Sequence, residues 1–258
     1  MSNWEIIGLL SAAAAAGAIN AVAGGGTLVT FPALLLTGTP PIVANATSTV
    51  ALVIGIGGSV FGYRRQIAAV QPWLWRFGPV SLLGGLLGGM LLTATSDRIF
   101  GRLVPFLLLF ATLLFLSQGA LAKLLGFTPE GRRSPQSHAV WAAMLFQFAV
   151  SLYGGYFGAG IGILMLATLG FLGLGDIHQM NAVKTVLGTL INVVAALWFI
   201  QAGLVDWSKA FVMTLGAAGG YYVGSHYAQK LSQRRVRQII TAIGFAISAA
   251  TFYQQFLR

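Results

Sequence analysis

Ala44-Asn45-Ala46-Thr47-Ser48-Thr49-Val50 and Met180-Asn181-Ala182-Val183-Lys184-Thr185-Val186 are two forms of one phrase, 136 residues apart. At the same offset upstream of each lies a glycine cluster, Gly24-Gly25-Gly26 in the first half and Gly160-Ile161-Gly162 in the second. The register extends further without a gap. Gly84-xxx-Gly88 matches Gly220-xxx-Gly224, and Ser96 and Arg98 match Ser232 and Arg234. Leucine and alanine matches arise by chance in an apolar chain; these polar ones point to an internal duplication. Polar side chains and flexible backbone at matching places in two halves of an apolar chain mark where a polar cargo is held.

Of the 258 residues, 57% are hydrophobic and 8% charged, with a mean hydropathy of +0.81, where a soluble domain carries about 25% charged residues. The apolar runs are long and lack the alternation of barrel strands, so the expected class is an all-α polytopic membrane protein. The net charge of +10 comes from basic residues in the loops between apolar runs, which argues against a nucleic-acid partner. There is no cysteine, hence no disulfide framework or thiol chemistry. Met1-Ser2-Asn3-Trp4-Glu5 lacks a positive n-region, so the first apolar segment is expected to be retained. No cofactor, metal site or enzyme motif is expected: there is no Walker lysine motif, no His-Glu-x-x-His and no paired intramembrane carboxylate.

Hydropathy predicts segments over 5–22, 27–37, 45–63, 74–95 and 99–124 in the first half, and 139–156, 162–174, 181–203, 207–229 and 236–257 in the second. This divides the chain into a first transmembrane repeat (1–125), a cytoplasmic linker (126–138) and a second repeat (139–258). A span needs about 20 residues; 27–37 and 162–174 are shorter, and each follows a glycine cluster. The first ends at Gly38-Thr39-Pro40-Pro41, which breaks a helix. Short, glycine-interrupted segments at corresponding positions predict re-entrant or broken helices. Each half is then a broken-helix hairpin plus three long spans, and the two repeats are inverted.

The distribution of lysine and arginine supports inversion. It places Arg64, Arg65, Lys123, Arg132, Arg133, Lys230, Arg234, Arg235 and Arg237 on one face and Arg98, Arg102, Lys209 and Arg258 on the other. Parallel halves would split the same residues almost evenly. The richer face is expected to be cytoplasmic, with both termini outside.

Lys184 is an ionisable group placed inside a span, where such groups usually face a cavity or partner; the alternative is a lysine that snorkels to the interface. A protonated Lys184 attracts an anion, and a buried lysine that sheds its proton offers proton coupling. Asn45, Thr47, Ser48 and Thr49 are expected to open one helix, and Asn181, Lys184 and Thr185 its counterpart. Helix starts expose unpaired N–H groups suited to an oxyanion, although capping alone also explains Asn and Thr there. Gly24, Gly25, Gly26, Gly160 and Gly162 are expected to turn the backbone sharply and present donors. Gly84, Gly85, Gly88 and Gly89 fit close helix packing better. Asn20, Gln147 and Tyr156 read as interhelical hydrogen-bond partners. Asp176 and His178 read as loop residues, and the run from Lys230 to Arg237 as a topology signal that also meets anionic lipid.

The run Asn20-Ala21-Val22-Ala23-Gly24-Gly25-Gly26-Thr27-Leu28-Val29-Thr30-Phe31-Pro32-Ala33-Leu34-Leu35, followed by Gly38-Thr39-Pro40-Pro41 and the Asn45 phrase, resembles the sulfite exporter TauE/SafE family of membrane transporters. The second half resembles that family's second repeat through Gly154-Gly155-Tyr156-Phe157-Gly158-Ala159-Gly160-Ile161-Gly162 and Asn181-Ala182-Val183-Lys184-Thr185. The resemblance implies movement of sulfite, sulfoacetate or a related organosulfonate across the bacterial cytoplasmic (inner) membrane. Joined to the residues above, it predicts a secondary transporter that exports a small sulfur-containing anion by alternating access. The partners expected are that anion and membrane lipid, with the oligomeric state open. An anion channel, or a membrane receptor or assembly subunit that binds without transporting, remains the alternative. Distant relatives that carry thiosulfate use cysteines, which this chain lacks.

Overall fold

The computed structural model describes residues 1–22, 25–60, 64–124, 137–171, 177–227 and 233–256. Among them all regular structure is α-helical. The helices are α1 (Asn3–Val22), α2 (Thr27–Leu36), α3 (Pro41–Val60), α4 (Arg64–Ala94), α5 (Asp97–Leu124), α6 (Ser137–Tyr156), α7 (Ile161–Phe171), α8 (Ile177–Gln201), α9 (Trp207–Tyr227) and α10 (Gln233–Phe256). The expected all-α polytopic class is what the chain adopts. Asn3–Ala21, Gln71–Ala94 and Ala182–Gln201 are each long and apolar enough to cross a bilayer, and Thr27–Leu36, Pro41–Ile56 and Thr241–Tyr253 are shorter apolar helices. The linker at 126–138 lies outside the described residues except for the first helical residues of α6.

Two boundaries differ in a way that matters for function. α3 begins at Pro41 and α8 at Ile177, each four residues ahead of the Asn motif. The expectation that Asn45 and Asn181 open their helices is therefore corrected: both lie beyond the first turn. Proline is favoured at the first helical position because it has no N–H to satisfy there and its φ is already helical, which explains the early start of α3. α4 starts ten residues before its apolar run, because Arg64, Arg65, Gln66 and Gln71 interrupt the hydropathy of a stretch that is still compatible with a helix.

Glycine decides how the helices pack. A Cβ on Gly216 would strike the Leu10 carbonyl, on Gly220 the Ala14 carbonyl, and on Gly224 the Ala18 backbone, so α1 and α9 run in the same direction in near-backbone contact. On α4, Gly84 faces Ser151 and the Phe148 carbonyl, and Gly88 faces the Leu152 carbonyl and Tyr156 N, so α4 and α6 are also parallel. Gly85 approaches Ile191 and Gly89 approaches Ala195, which makes α8 parallel to α4. α3 runs parallel to α9, with Thr47 bonded to the Asp206 N–H at 3.0 Å and Gly55 against Ala217. α5 and α10 are antiparallel, Ser248 bonding the Pro105 carbonyl while Gly244 sits on Thr112. Exchange of the halves turns α1 against α9 into α6 against α4, and α3 against α9 into α8 against α4; all four pairings occur. In lipid the apolar side chains gain little from leaving the surroundings, so such close contacts and interhelical hydrogen bonds carry the association.

Exposed tryptophans fit these directions. Trp4 and Trp207 stand at the starts of the parallel pair α1 and α9, Trp75 near the start of the apolar span of α4, and Trp141 near the start of its parallel partner α6. Tryptophan favours the membrane–water interface. From Trp75 to the end of α4 is about 30 Å at 1.5 Å per residue, one hydrocarbon thickness.

Candidate functional site

The glycine clusters interrupt helices as the sequence predicts. Gly25 has φ +96°, Gly158 +82° and Gly160 +80°, left-handed backbone that side chains disfavour. Gly24 lies outside the described residues. In the first half the break is held by Asn20, whose Oδ1 accepts the Gly26 N–H at 2.7 Å while its Nδ2 donates to the Tyr221 hydroxyl at 2.9 Å. The Gly26 N–H is thus already committed to the protein. In the second half, Tyr153 donates from its hydroxyl to the Ala159 carbonyl at 2.8 Å, bracing the break from α6. Asn20 and Gln147 are the interhelical partners expected, the latter donating to Ser81 at 3.0 Å and Ser151 at 3.3 Å.

The two breaks lie close together. Phe31 on α2 packs edge-on to Phe157, just past α6, with ring centroids 5.5 Å apart, and to Phe100 at 6.3 Å. The polar motif of α3 joins this junction. Asn45 is 1% exposed, and its Nδ2 donates to the carbonyl of Tyr156, the last residue of α6, at 3.1 Å. Its Oδ1 is buried without a hydrogen-bond partner, a condition it shares with Thr241 Oγ1 on α10 among the described residues. Three further polar side chains of the motif are spent internally. Thr47 accepts the Asp206 N–H, Ser48 bonds Thr30 at 2.6 Å, and Thr49 donates to the Asn45 carbonyl at 2.9 Å.

In α8 the equivalent positions meet the other broken helix. A Cβ on Gly162 would sit 3.3 Å from Lys184 Cδ, so the lysine stem runs along the start of α7. Ser48, its counterpart in register, bonds Thr30 on α2 in the same relation of long helix to broken helix. Thr185 is half-buried and accepts the Thr189 hydroxyl at its carbonyl. Gly160 packs beside Ala111 and Leu114 of α5. The side chains of Asn181, Asp176 and His178 lie outside the described residues. Asn45 and Lys184 therefore each contact a break region: Asn45 the end of α6, Lys184 the first turn of α7.

Several contributors are not evident from the sequence. Asp97, at the start of α5, accepts the Ile42 N–H at 3.1 Å and so caps α3 from another helix. With a carboxylate there, the start of α3 does not offer the open oxyanion site that a helix N-terminus otherwise provides. Asp97→Ala is expected to cost about 0.5–2 kcal/mol, as loss of an N-cap does, read as a lower melting temperature in detergent; an unchanged melt contradicts the capping role. Lys209 donates to Thr39 at 2.7 Å and lies 3.6 Å from Asp206, tying the α2–α3 turn to the start of α9. Phe31 and Phe100 are single aromatics, and Phe157 follows Tyr156 among glycines; nothing in their spacing shows that the three rings meet.

Comparison with known proteins agrees with this architecture. Residues 9–251 match the sequence profile of the family described as Sulfite exporter TauE/SafE. A probable membrane transporter protein of Haemophilus influenzae is 29% identical over 243 residues, covering 92% of this chain and 90% of the relative. A probable membrane transporter protein, ORF9, of Sinorhizobium sp is 28% identical, over 93% of this chain and 89% of its own. The probable membrane transporter protein YfcA of Escherichia coli K12 is 28% identical, over 92% and 86%. No solved structure gives a significant match. The chain is a multi-pass membrane transporter, not an enzyme, and it belongs to the sulfite exporter TauE/SafE family.

Proposed function

We propose that this transporter exports a small sulfur-containing anion, sulfite or an organosulfonate such as sulfoacetate, across the cytoplasmic membrane by alternating access of two inverted halves. The observation that carries the reading is Asn45: a fully buried amide of one half, bonded to the glycine break of the other, with its oxygen unsatisfied. Broken helices whose interruptions meet between two halves are where transporters hold cargo. Lys184, beside Gly162, supplies the positive charge for an anion, and its protonation state offers a route to proton coupling.

Inversion is supported by the helix directions. α1 and α3 run with α9, and α4 and α8 run with α6. With consecutive long spans antiparallel, α3 and its counterpart α8 run in opposite senses. Each broken helix then returns to the side from which its hairpin began, and both termini share the outer face, with the 126–138 linker inside. A cytoplasmic reporter fused after Arg133 is expected to be active, and a periplasmic result overturns this orientation.

The cargo is tested by titrating purified protein with sulfite, sulfate, thiosulfate, sulfoacetate and taurine. Saturable binding of sulfite or a sulfonate is expected, with sulfate and thiosulfate weaker. Equal binding of all five, or of none, removes the assignment.

A further inference from the structure

Asn45 also speaks to the chemical form of the cargo. The orientation of its amide follows from its neighbour: the Tyr156 carbonyl can only accept, so the atom 3.1 Å from it is Nδ2. The other end of the amide is then Oδ1, an acceptor with two lone pairs, buried and unpartnered. The hydroxyls nearest in sequence are already placed: Thr47 with Asp206, Ser48 with Thr30, Thr49 with the Asn45 carbonyl. A buried acceptor without a donor is disfavoured, and a bare oxyanion, itself only an acceptor, would repel it.

Resting on the anion-transporter reading above, we infer that the carried anion brings a hydrogen-bond donor to Asn45 Oδ1. The cargo class is an oxyanion bearing an O–H or N–H. Sulfite fits as its protonated monoanion, hydrogen sulfite, and a sulfonate fits when it carries a hydroxyl or amino group. Among the organosulfonates this favours those with a hydroxyl or amino group over fully ionised sulfoacetate, whose polar atoms are all acceptors. Lys184 meets the charge of such an anion and Asn45 selects its protonation state. A site built around one buried polar group discriminates strongly against a ligand that leaves the group unpaired.

The test uses the full chain in liposomes, following sulfite flux with two competitors that differ by a single hydroxyl, 2-hydroxyethanesulfonate and ethanesulfonate. The hydroxylated anion is expected to inhibit at a concentration at least about tenfold lower. In Asn45→Leu, close in size but without the acceptor, that advantage disappears while residual flux remains; Asn45→Ala serves where leucine disturbs the packing. Equal inhibition by the two anions in the wild type, or no inhibition by either while sulfite still moves, overturns the inference and leaves the transporter reading standing. So does an advantage that survives in both variants, since the acceptor, or a resident water, then lies elsewhere. Absence of sulfite flux in the wild type instead overturns the transporter reading itself.

Discussion

Lys184→Met is expected to lower sulfite flux by about 10- to 150-fold while the protein stays folded. The range corresponds to loss of a charged hydrogen bond worth about 1.5–3 kcal/mol. Methionine is the informative replacement because it separates two roles of the lysine. Its unbranched stem can still lie along Gly162, where a Cβ would come within 3.3 Å of the lysine Cδ. Packing at the start of α7 is therefore kept and only the positive end is removed. Lys184→Ala takes away both and should lower the melting temperature as well. Flux is read in liposomes against the melt of each variant in detergent. Full transport by Lys184→Met places the lysine outside the anion path, and its role is then the packing of α7 on α8.

Gly220→Ala is expected to impair folding severely, while Gly219→Ala one position earlier is tolerated. Both sites are in α9, where alanine is the better helix former by about 1 kcal/mol, so intrinsic preference pushes the two variants equally towards greater stability. Packing separates them. A Cβ at Gly219 meets nothing within 4 Å, whereas at Gly220 it falls on the Ala14 carbonyl and within 2.9 Å of Ala14 Cα. Those atoms are helical backbone and cannot rotate aside, so α1 and α9 must separate along their length. Overpacking of this sort costs about 1–3 kcal/mol or more. Gly88→Ala should behave alike at the equivalent α4–α6 contact, where the obstacle is the Leu152 carbonyl. Similar melts for Gly219→Ala and Gly220→Ala contradict the close approach of α1 and α9.

Most of the fold is legible in the sequence because lipid imposes a simple rule on it. Apolar runs of sufficient length become helices, and the ten segments read from hydropathy correspond to α1 through α10. The glycine clusters were legible as breaks, since Gly25, Gly158 and Gly160 occupy backbone that other residues disfavour. Gly84, Gly85 and Gly88 lie against neighbouring backbone or side chains as packing sites, but Gly26, helical at φ −54°, and Gly162, inside α7 against the Lys184 stem, do not make the sharp turn expected of them. Helix starts were less legible. Pro41 opens α3 and polar residues open α4, and hydropathy is blind to both.

The buried polar groups of α3 are visible in the sequence, while their bonding is not. Asn45, Thr47, Ser48 and Thr49 look alike in sequence as small polar groups within one turn. Their fates are set by what each face of α3 meets: the α8–α9 turn for Thr47, α2 for Ser48, the helix's own carbonyl for Thr49, and the end of α6 for Asn45. Those partners are up to 159 residues away in the chain, and no local pattern encodes them. Asp97 escaped notice for the same reason, since it caps a helix 55 residues earlier.

The most direct measurement of the carrier mechanism is counterflow. Liposomes holding the purified chain are loaded with unlabelled sulfite, diluted, and given a trace of labelled sulfite outside. A carrier that alternates around one site exchanges the two, so label accumulates transiently inside, saturates with sulfite concentration, and is lost in Lys184→Met. Label that enters without overshoot or saturation describes a channel, and label that stays outside while sulfite still binds describes a receptor; either result contradicts alternating access by this protein.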